Sequence, residues 1–356
     1  MINVDGKARG RRTRVNYKQT KQWIVDKEQD SGEQTEMIQE AALWIKQNKL
    51  IAFPTETVYG LGANALSYEA VAQIFTAKGR PSDNPLIVHI GDNSQLDKLV
   101  KTIPANASKL MAAFWPGALT LILEAKEAIA ENVTAGLSTV GVRMPSHPVA
   151  LKLLQECGLP VAAPSANVSG RPSPTTAAHV IADLDGKIDG IVDGGATGIG
   201  LESTVLDVSK PTPMLYRPGG VSVEEIEAVI GKIDIDPALE TADSAPKSPG
   251  MKYTHYAPNA EVILVDSDDS IHHLVAEAKK EGRKVAVFAT TGTADYKADI
   301  VRQGESLEHT AHILYGVLRD FDEQGADIIY VKTVPTEGVG RAIMNRLEKA
   351  AGGKRV

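Results

Sequence analysis

The chain has 356 residues, and its 43% hydrophobic and 23% charged residues are close to the average of globular proteins. This composition excludes wholesale disorder and a coiled coil, and the length predicts two domains or three. The 38 basic residues are outnumbered by 45 acidic ones, for a net charge of -7, so only a local basic patch can attract a nucleotide or nucleic acid.

Residues 1–33 are predicted to form a basic tail and lead-in. From Lys7 to Lys21 this segment has seven basic residues and no acid, which is typical of a solvated tail, with an RNA- or phosphate-contacting arm as the alternative. No apolar stretch follows that would make a signal peptide. A single cysteine, Cys157, excludes an internal disulfide framework and indicates a reducing compartment, so we expect a cytoplasmic location. Apolar runs such as 118–123 are far shorter than the about 20 residues that cross a bilayer, so no membrane association is expected.

Residues 34–236 alternate between helical and strand patterns. A helical stripe from Met37 to Ile45 leads to an apolar run from Leu50 to Phe53, which Pro54 ends. A second helix is predicted from Tyr68 to Lys78. Further predicted strands are Leu86–Ile90, Leu119–Glu124, Thr139–Met144, Pro160–Ala163, Ile191–Val192 and Thr204–Val208. This mixture predicts an α/β or α+β class.

Residues 237–259 have the composition of a linker, because prolines accumulate there beside acids and serines. Strand and helix patterns then alternate through residues 260–356. The predicted order is a strand at Val262–Val265, a helix at Asp269–Glu281, a strand at Lys284–Ala289, a helix at Ser306–Glu323, a strand at Ile328–Val331 and a helix from Gly340. This spacing predicts a small open parallel sheet in a second domain.

The common nucleotide motifs are absent or weak. No G-x-x-x-x-G-K-[ST] occurs, and Gly60 to Ala65 fits only the loose G-x-G-x-x-A form of a dinucleotide site. The glycine run from Gly194 to Gly200 is interpreted as a tight turn or as a backbone cradle for an anion. His309 and His312 are three residues apart on a predicted helix, but without partner ligands they are expected to be ordinary surface or packing residues.

Three loop segments carry more chemical information. The segment 54–62 has two hydroxyls, a carboxylate and a phenol directly after a buried strand, where open α/β sheets place ligands, although a capped turn is the alternative. In the segment 78–85, Lys78 and Arg80 flank a glycine and are suited either to cap a helix or to contact a phosphate. The segment 164–171 has small hydrogen-bonding residues that either cap a helix or contact a base or ribose.

Two isolated arginines complete this set. Arg143 lies in a predicted apolar strand, where a charge is rarely buried without a partner, so it is expected to face an anionic ligand or an internal carboxylate. Arg217 precedes a Pro-Gly-Gly turn. The residues therefore predict a cationic cleft lined with hydroxyls, without specifying its reaction.

Four motifs occur in a fixed order. They are P-T-E-T-V-Y-G-L-G from Pro54, K-G-R-P from Lys78 with N-P-L-I-V-H ending at His89, S-A-N at 165–167, and S-P-G-M-K-Y-T-H-Y-A-P from Ser248. From about residue 35 to the C-terminus, the chain resembles the long form of the threonylcarbamoyl-AMP synthase family.

The resemblance implies an α/β fold: a YrdC-like twisted mixed sheet with helices and a central cationic cleft, then a small Rossmann-like parallel α/β C-terminal domain. It implies a nucleotidyltransferase that makes threonylcarbamoyl-AMP and pyrophosphate from L-threonine, bicarbonate or CO2, and ATP. In the family this product feeds the t6A37 modification of tRNA, so downstream threonylcarbamoyl-transfer proteins are expected partners. Mg2+ is expected to enter with ATP and to be held by the triphosphate, and no protein metal site is predicted.

The resemblance also implies roles for single residues. L-threonine would be held by Thr57, His89, Arg143, Ala163 and Ser203, with Arg143 on the substrate carboxylate and only the backbone of Ala163 able to hydrogen-bond. ATP would be held by Lys78, Arg80, Asn84, Thr139, Ser165, Asn167, Arg217 and Tyr256, and the catalytic residues would be Lys78 and Arg80.

The segment from Ser248 to Pro258 has aromatic residues that a simple tether does not need. We hypothesise that it is a lid that excludes water from labile intermediates, with Tyr256, Lys252 and His255 near the ATP side; the alternative is packing against a domain surface. An RNA-binding module that uses the cleft or the tail and a nucleotide-binding regulator without turnover are the competing functions. The ordered hydroxyls and the histidine favour the enzyme, because phosphate-backbone binding needs mainly Lys and Arg.

Overall fold

The computed structural model describes residues 18–27, 31–239, 256–290 and 295–356. These residues form two sheets with helices packed against them, which confirms the predicted α/β fold class. Most of the basic tail, Lys252, His255 and nearly all of the proposed lid lie outside the described residues. The first sheet ends at Ile235 and the second begins at Glu261, while the domain bounds drawn from the sequence stay predictions.

The larger sheet has eleven strands and mixed direction. In chain order its strands are β1 (Lys21–Ile24), β2 (Ile51–Phe53), β3 (Gly60–Asn64), β4 (Ile87–His89), β5 (Leu119–Glu124), β6 (Thr139–Arg143), β7 (Val161–Ala162), β8 (Gly190–Asp193), β9 (Thr204–Asp207), β10 (Met214–Arg217) and β11 (Asp234–Ile235). Their spatial order is β1-β8-β2-β3-β7-β4-β6-β5-β9-β10-β11. Parallel pairs such as β4–β6 occur together with antiparallel pairs such as β3–β7, as predicted for a mixed sheet.

Eight α-helices accompany this sheet within the described residues. They are α1 (Gly32–Lys46), α2 (Tyr68–Lys78), α3 (Leu96–Leu99), α4 (Ala105–Phe114), α5 (Glu131–Thr134), α6 (Pro148–Cys157), α7 (Ala177–Leu184) and α8 (Val223–Ile230). Several begin at a hydroxyl residue whose side chain accepts a backbone N–H of the first turn, as Ser67 does from Ala70 and Thr176 does from His179. Such caps fix where each helix starts and therefore where the preceding loop ends.

The smaller sheet is entirely parallel, as the sequence predicts. Its strands β12 (Glu261–Val265), β13 (Val285–Ala289), β14 (Ile300–Gln303) and β15 (Ile328–Lys332) lie in the order β12-β15-β13-β14. The helices are α9 (Asp268–Lys280), α10 (Leu307–Glu323) and α11 (Val339–Ala351). Apolar side chains are buried in two clusters of this unit, one around β12 and α10 and the other around β13 and α9. Across the described residues, no helix is both long and apolar enough to cross a bilayer.

The structure corrects one sequence interpretation and excludes one weak motif match. Residues 21–24 form a strand rather than part of a solvated tail, because Trp23 is buried and anchors the segment while Lys21 pairs with Glu40 at 2.6 Å. The Gly60 to Ala65 stretch is mainly strand β3 instead of a strand-to-helix turn, which excludes the dinucleotide geometry. A Cβ at Gly62 would lie 2.8 Å from the Phe53 ring, so this glycine permits close packing between strands.

The glycine run from 194 to 200 packs against α10 of the C-terminal region. His312 Nδ1 lies 2.7 Å from the carbonyl oxygen of Gly198, and a Cβ at Gly200 would lie 2.3 Å from the His312 carbonyl oxygen. Val58, Leu201 and Tyr256 join the apolar cluster of α10 and α11. The run is therefore part of the seam between the two units, and His312 has the packing role expected for it.

We expect Gly200→Ala to destabilise this seam more than Gly195→Ala. Both glycines have positive φ, at 81° and 85°, so each substitution carries the left-handed penalty of about 1–2 kcal/mol. Only position 200 adds a backbone collision, since nothing lies within 4 Å of a Cβ at Gly195. Urea denaturation followed by circular dichroism measures the difference. Equal midpoints for the two variants would contradict the close approach.

Candidate active site

A cleft opens at the ends of the central strands of the larger sheet. It encloses about 730 Å³ of empty space, open solvent at its mouth included. Of the residues assigned to substrates from the sequence, those that line it are Thr57, Lys78, Arg80, His89, Arg143, Ala163, Ser165, Asn167, Ser203, Arg217 and Tyr256. The fold thus brings together side chains from four separated motifs.

One end of the cleft is organised by Arg143. Strands β4 and β6 run parallel with His89 opposite Arg143, so both side chains emerge at the same edge of the sheet. The Arg143 guanidinium donates to Thr57 Oγ1 at 2.9 Å and to the Gly117 carbonyl at 3.1 Å. Its Nη2 also lies 2.6 Å from Glu56 Oε1. The internal carboxylate expected from a charged residue in an apolar strand is therefore Glu56.

His89 is buried beside this guanidinium. Burial, together with the neighbouring Arg143 charge, lowers the pKa of His89 to about 3. The imidazole is therefore neutral near pH 7. Its Nδ1 is buried without a hydrogen-bond partner among the described residues, so a polar group of a ligand can satisfy it.

Lys78 and Arg80 line the cleft where α2 ends. Gly79 has a φ of 60° and provides the left-handed C-cap of that helix. The Lys78 ammonium instead donates to the carbonyl oxygens of Ser165 and Asn167. Arg80 donates to the carbonyl oxygens of Asn84 and Pro85 at 3.4 and 3.3 Å. Both cations are thus held by loop carbonyls at the cleft wall and not by the carbonyl groups of their own helix.

The electrostatics of this end favour an anion. Burial lowers the pKa of Lys78 well below its usual range, and the charge of Arg80 adds to this effect. Burial likewise lowers the pKa of Arg80 to about 10. An anionic ligand would stabilise both charged forms by opposing this desolvation.

The loop 164–171 and strand β10 form the wall next to these cations. Ser165 Oγ donates to Asn167 Oδ1 at 2.5 Å, and the Asn167 amide donates to the Val168 carbonyl at 2.9 Å. No helix begins at these residues, so the helix-cap alternative is wrong. From β10, Arg217 donates to the Ser203 carbonyl at 3.0 Å and to its hydroxyl at 3.1 Å.

Two assigned residues do not line this cleft. Thr139 begins β6 and lines a separate, smaller cavity of about 280 Å³. Asn84 is buried, with its Oδ1 lacking a hydrogen-bond partner among the described residues, and reaches the cleft only through its carbonyl contact with Arg80. Their assignment to ATP stays a prediction.

Tyr256 contributes the described end of the linker to the cleft. Its φ is 65°, in the left-handed region, and the next residue, Ala257, donates its N–H to the Gly170 carbonyl at 3.0 Å. This contact joins the linker end to the loop that carries Ser165 and Asn167.

Sequence reasoning missed the acidic residues around the cleft. Glu56 directly precedes Thr57 in the first motif. The argument that a charged residue in an apolar strand needs a partner could have identified it as the carboxylate that pairs with Arg143. Glu202 lines the cleft and is 6% exposed, but no local pattern marks it. Among the described residues, no three His, Cys, Asp or Glu side chains cluster in a way that could hold a metal ion.

The sequence matches two family models. The model described as "Telomere recombination" matches residues 44–219, and the model described as "Threonylcarbamoyl-AMP synthase, C-terminal domain" matches residues 221–352. The threonylcarbamoyl-AMP synthase of Bacillus subtilis is 54% identical over 341 residues, covering 94% of this chain and 99% of the relative. That of Pyrococcus abyssi is 52% identical over 320 residues, covering 88% and 93%.

Solved structures agree with these matches. The structure of Pyrococcus abyssi Sua5 complexed with L-threonine has a TM-score of 0.90 and 50% identity, covering 95% of this chain and 99% of that one. Escherichia coli YciO, at 24% identity and a TM-score of 0.52, covers 59% of this chain and shares the fold. The YrdC-like fold is thereby confirmed. The chain is an enzyme of the threonylcarbamoyl-AMP synthase family.

Proposed function

We propose that this enzyme makes threonylcarbamoyl-AMP and pyrophosphate from L-threonine, bicarbonate or CO2, and ATP, for the t6A37 modification of tRNA. The observation that carries the proposal is the set of side chains that line one cleft. The Arg143 guanidinium lies beside a neutral His89 imidazole, and Lys78 and Arg80 follow one another where α2 ends. The Pyrococcus abyssi relative, of similar structure, has been solved with L-threonine. Downstream threonylcarbamoyl-transfer proteins are the proposed consumers of the product.

The Arg143 end suits an amino acid. Its guanidinium donates to Thr57 and to the Gly117 carbonyl, and its Nη2 faces Glu56. The Nη2 side is therefore the proposed position for a substrate carboxylate. Such a forked, charge-assisted contact orients the substrate as well as binding it. The neutral His89 and the Ser203 hydroxyl complete a polar pocket for the amine and hydroxyl of threonine.

The reaction needs positioning and charge neutralisation. The threonine amine attacks the carbon of CO2 and releases a proton to give a carbamate. With bicarbonate the same attack expels hydroxide, which takes up the amine proton and leaves as water. A carbamate oxygen then attacks the α-phosphorus of ATP, and the bond to pyrophosphate breaks. We infer that Lys78, Arg80 and Arg217 neutralise the phosphate oxygens, and that a closed cleft limits hydrolysis of the mixed anhydride.

Mg2+ is proposed to enter as part of the MgATP substrate. Glu202 lines the cleft, but its carboxylate already accepts hydrogen bonds from Ser173, Tyr315 and Arg346. It therefore does not fit a metal-ligand role. The triphosphate and water molecules are the proposed ligands. RNA contact through the cleft or the tail is the competing reading, and the hydroxyl-lined, enclosed site favours the small substrates.

The direct test is a product assay. We expect the purified chain, incubated with L-threonine, bicarbonate, ATP and Mg2+, to release pyrophosphate and form threonylcarbamoyl-AMP, identified by mass spectrometry. Omission of threonine is the control. Pyrophosphate release that does not depend on threonine, or no adenylate at all, would contradict the proposed function.

We expect Arg143→Ala to weaken threonine binding more than nucleotide binding. Loss of a charge-assisted contact of about 1.5–3 kcal/mol corresponds to an about 10- to 150-fold higher Kd for threonine. Isothermal calorimetry with each substrate measures both constants. Arg143→Lys keeps the charge without the fork and should be intermediate. A variant that binds threonine normally but loses ATP would reverse the orientation of the substrates.

We expect Arg80→Ala to abolish adenylate formation while the protein stays folded. Its weak contacts to two loop carbonyls make it dispensable for the fold, and its place beside Lys78 suits it to a phosphate. Product yield and the thermal melting curve check the two halves of this expectation. Arg283→Ala, on the surface of the C-terminal unit, is the matched control. Full activity, or an unfolded variant, would favour a structural role.

A further inference from the structure

Glu202 is the one acidic residue among the described residues that line the cleft. Its Oε1 accepts from Ser173 Oγ at 2.6 Å, and its Oε2 accepts from the Tyr315 hydroxyl at 2.9 Å and from Arg346 Nε at 2.8 Å. Tyr315 and Arg346 belong to α10 and α11 of the C-terminal unit. A carboxylate of the catalytic cleft is therefore bound from the other side of the seam.

Arg346 is fully buried and does not line the cleft. Besides Glu202, it donates from Nη1 to the Pro218 carbonyl at 2.8 Å. Pro218 directly follows Arg217, the cation placed on the nucleotide side. One C-terminal guanidinium thus holds both a carboxylate and a backbone position in the cleft wall.

The same cluster supports Tyr256. The Tyr256 ring lies 5.3 Å from the Tyr315 ring, centroid to centroid, and 5.7 Å from the guanidinium carbon of Arg346. These are distances at which aromatic pairs and cation–π contacts stabilise a ring. The tyrosine assigned to ATP is therefore held by two residues of the C-terminal unit.

The charge of Glu202 makes Arg346 necessary. Burial alone would raise the pKa of Glu202, but Arg346 and Arg217 lower it to about 2, so it is an anion at neutral pH. An uncompensated anion beside bound phosphates would repel them strongly in a water-poor cleft. Removing one partner of a buried ion pair leaves that uncompensated charge in place.

We propose that Arg346 is a positioning residue for the nucleotide: it neutralises Glu202 and fixes the wall formed by Pro218 and Tyr256, without touching the substrate. The C-terminal unit thereby sets the charge and shape of the nucleotide side of the active site. This inference rests on the proposed function for the place of ATP.

The test is nucleotide binding by a set of variants of the full chain. We expect Arg346→Gln to raise the Kd of a non-hydrolysable ATP analogue by at least about tenfold, with the threonine Kd changed less than about threefold. Adding Glu202→Gln to it removes the uncompensated negative charge and should restore the nucleotide Kd to within about threefold of the wild type. Glu202→Gln alone should bind nucleotide no more weakly than the wild type.

A purely structural role for Arg346 gives different results. It predicts that the double variant binds nucleotide no more tightly than Arg346→Gln, and that Arg346→Gln binds both nucleotide and threonine less tightly than the wild type. Either result would overturn the proposal. An unchanged nucleotide Kd in Arg346→Gln would overturn it as well. Arg346→Lys, which keeps the charge, should bind nucleotide more tightly than Arg346→Gln and covers the case in which the latter is poorly folded. Arg302→Gln, which breaks a more exposed pair with Asp320 on α10, is the control.

Wild-type measurements separate this inference from the proposed function. Normal nucleotide binding without threonine-dependent pyrophosphate release would contradict the proposed function and leave the role of Arg346 open to the same binding test. Threonine-dependent release together with an unaffected Arg346→Gln variant would contradict this inference alone.

Discussion

Buried positive charge is the constraint on which the structure of the cleft depends. Its described lining includes the buried cations Lys78, Arg143 and Arg217 and the partly exposed Arg80 and Arg171, and a buried charge must be paired or hydrogen-bonded. Each has a different solution: three oxygen atoms of one loop surround the Lys78 ammonium, whereas Glu56 pairs with Arg143. Burial lowers the pKa of Lys78 and of Arg80, which indicates that this compensation is incomplete. In the proposed function, an anionic substrate supplies the remainder.

Local sequence predicted the cleft well because its residues follow buried strands. The strand patterns at Leu86–Ile90 and Thr139–Met144 predict two strands that carry His89 and Arg143, and the parallel pairing of β4 with β6 places these two residues opposite each other. Gly79 similarly indicated the end of α2, where its positive φ is observed. The local pattern could not decide whether Lys78 and Arg80 cap α2 or contact a phosphate. For Lys78 the capping role is excluded by the loop 164–171, which accepts its hydrogen bonds.

Contacts between distant segments were beyond the sequence for a physical reason. Glu202 and Arg346 are 144 positions apart, and Arg346 lies on a helix whose charged residues are typical of a solvated face. Only the packing of α11 against the cleft wall removes that arginine from water. The burial of Trp23 was likewise hidden, because the basic residues around it resemble a tail until β1 pairs with β8. Propensity and charge patterns describe a segment alone, whereas burial is decided by its neighbours.

The two arginine–carboxylate pairs of the cleft show how the same chemistry serves binding in one place and architecture in another. The Arg143 side chain keeps 4% exposure and its partner Glu56 12%, and two further contacts hold the guanidinium from behind, so a substrate carboxylate can take the Glu56 side without loss of the arginine's position. The Arg346 side chain has no exposure, and Glu202 is already bound by two other donors. Exchange there would leave a buried charge with no access to solvent. In the proposed function, solvent access, more than the identity of the ion pair, therefore decides that Arg143 binds a ligand and that Arg346 holds the wall.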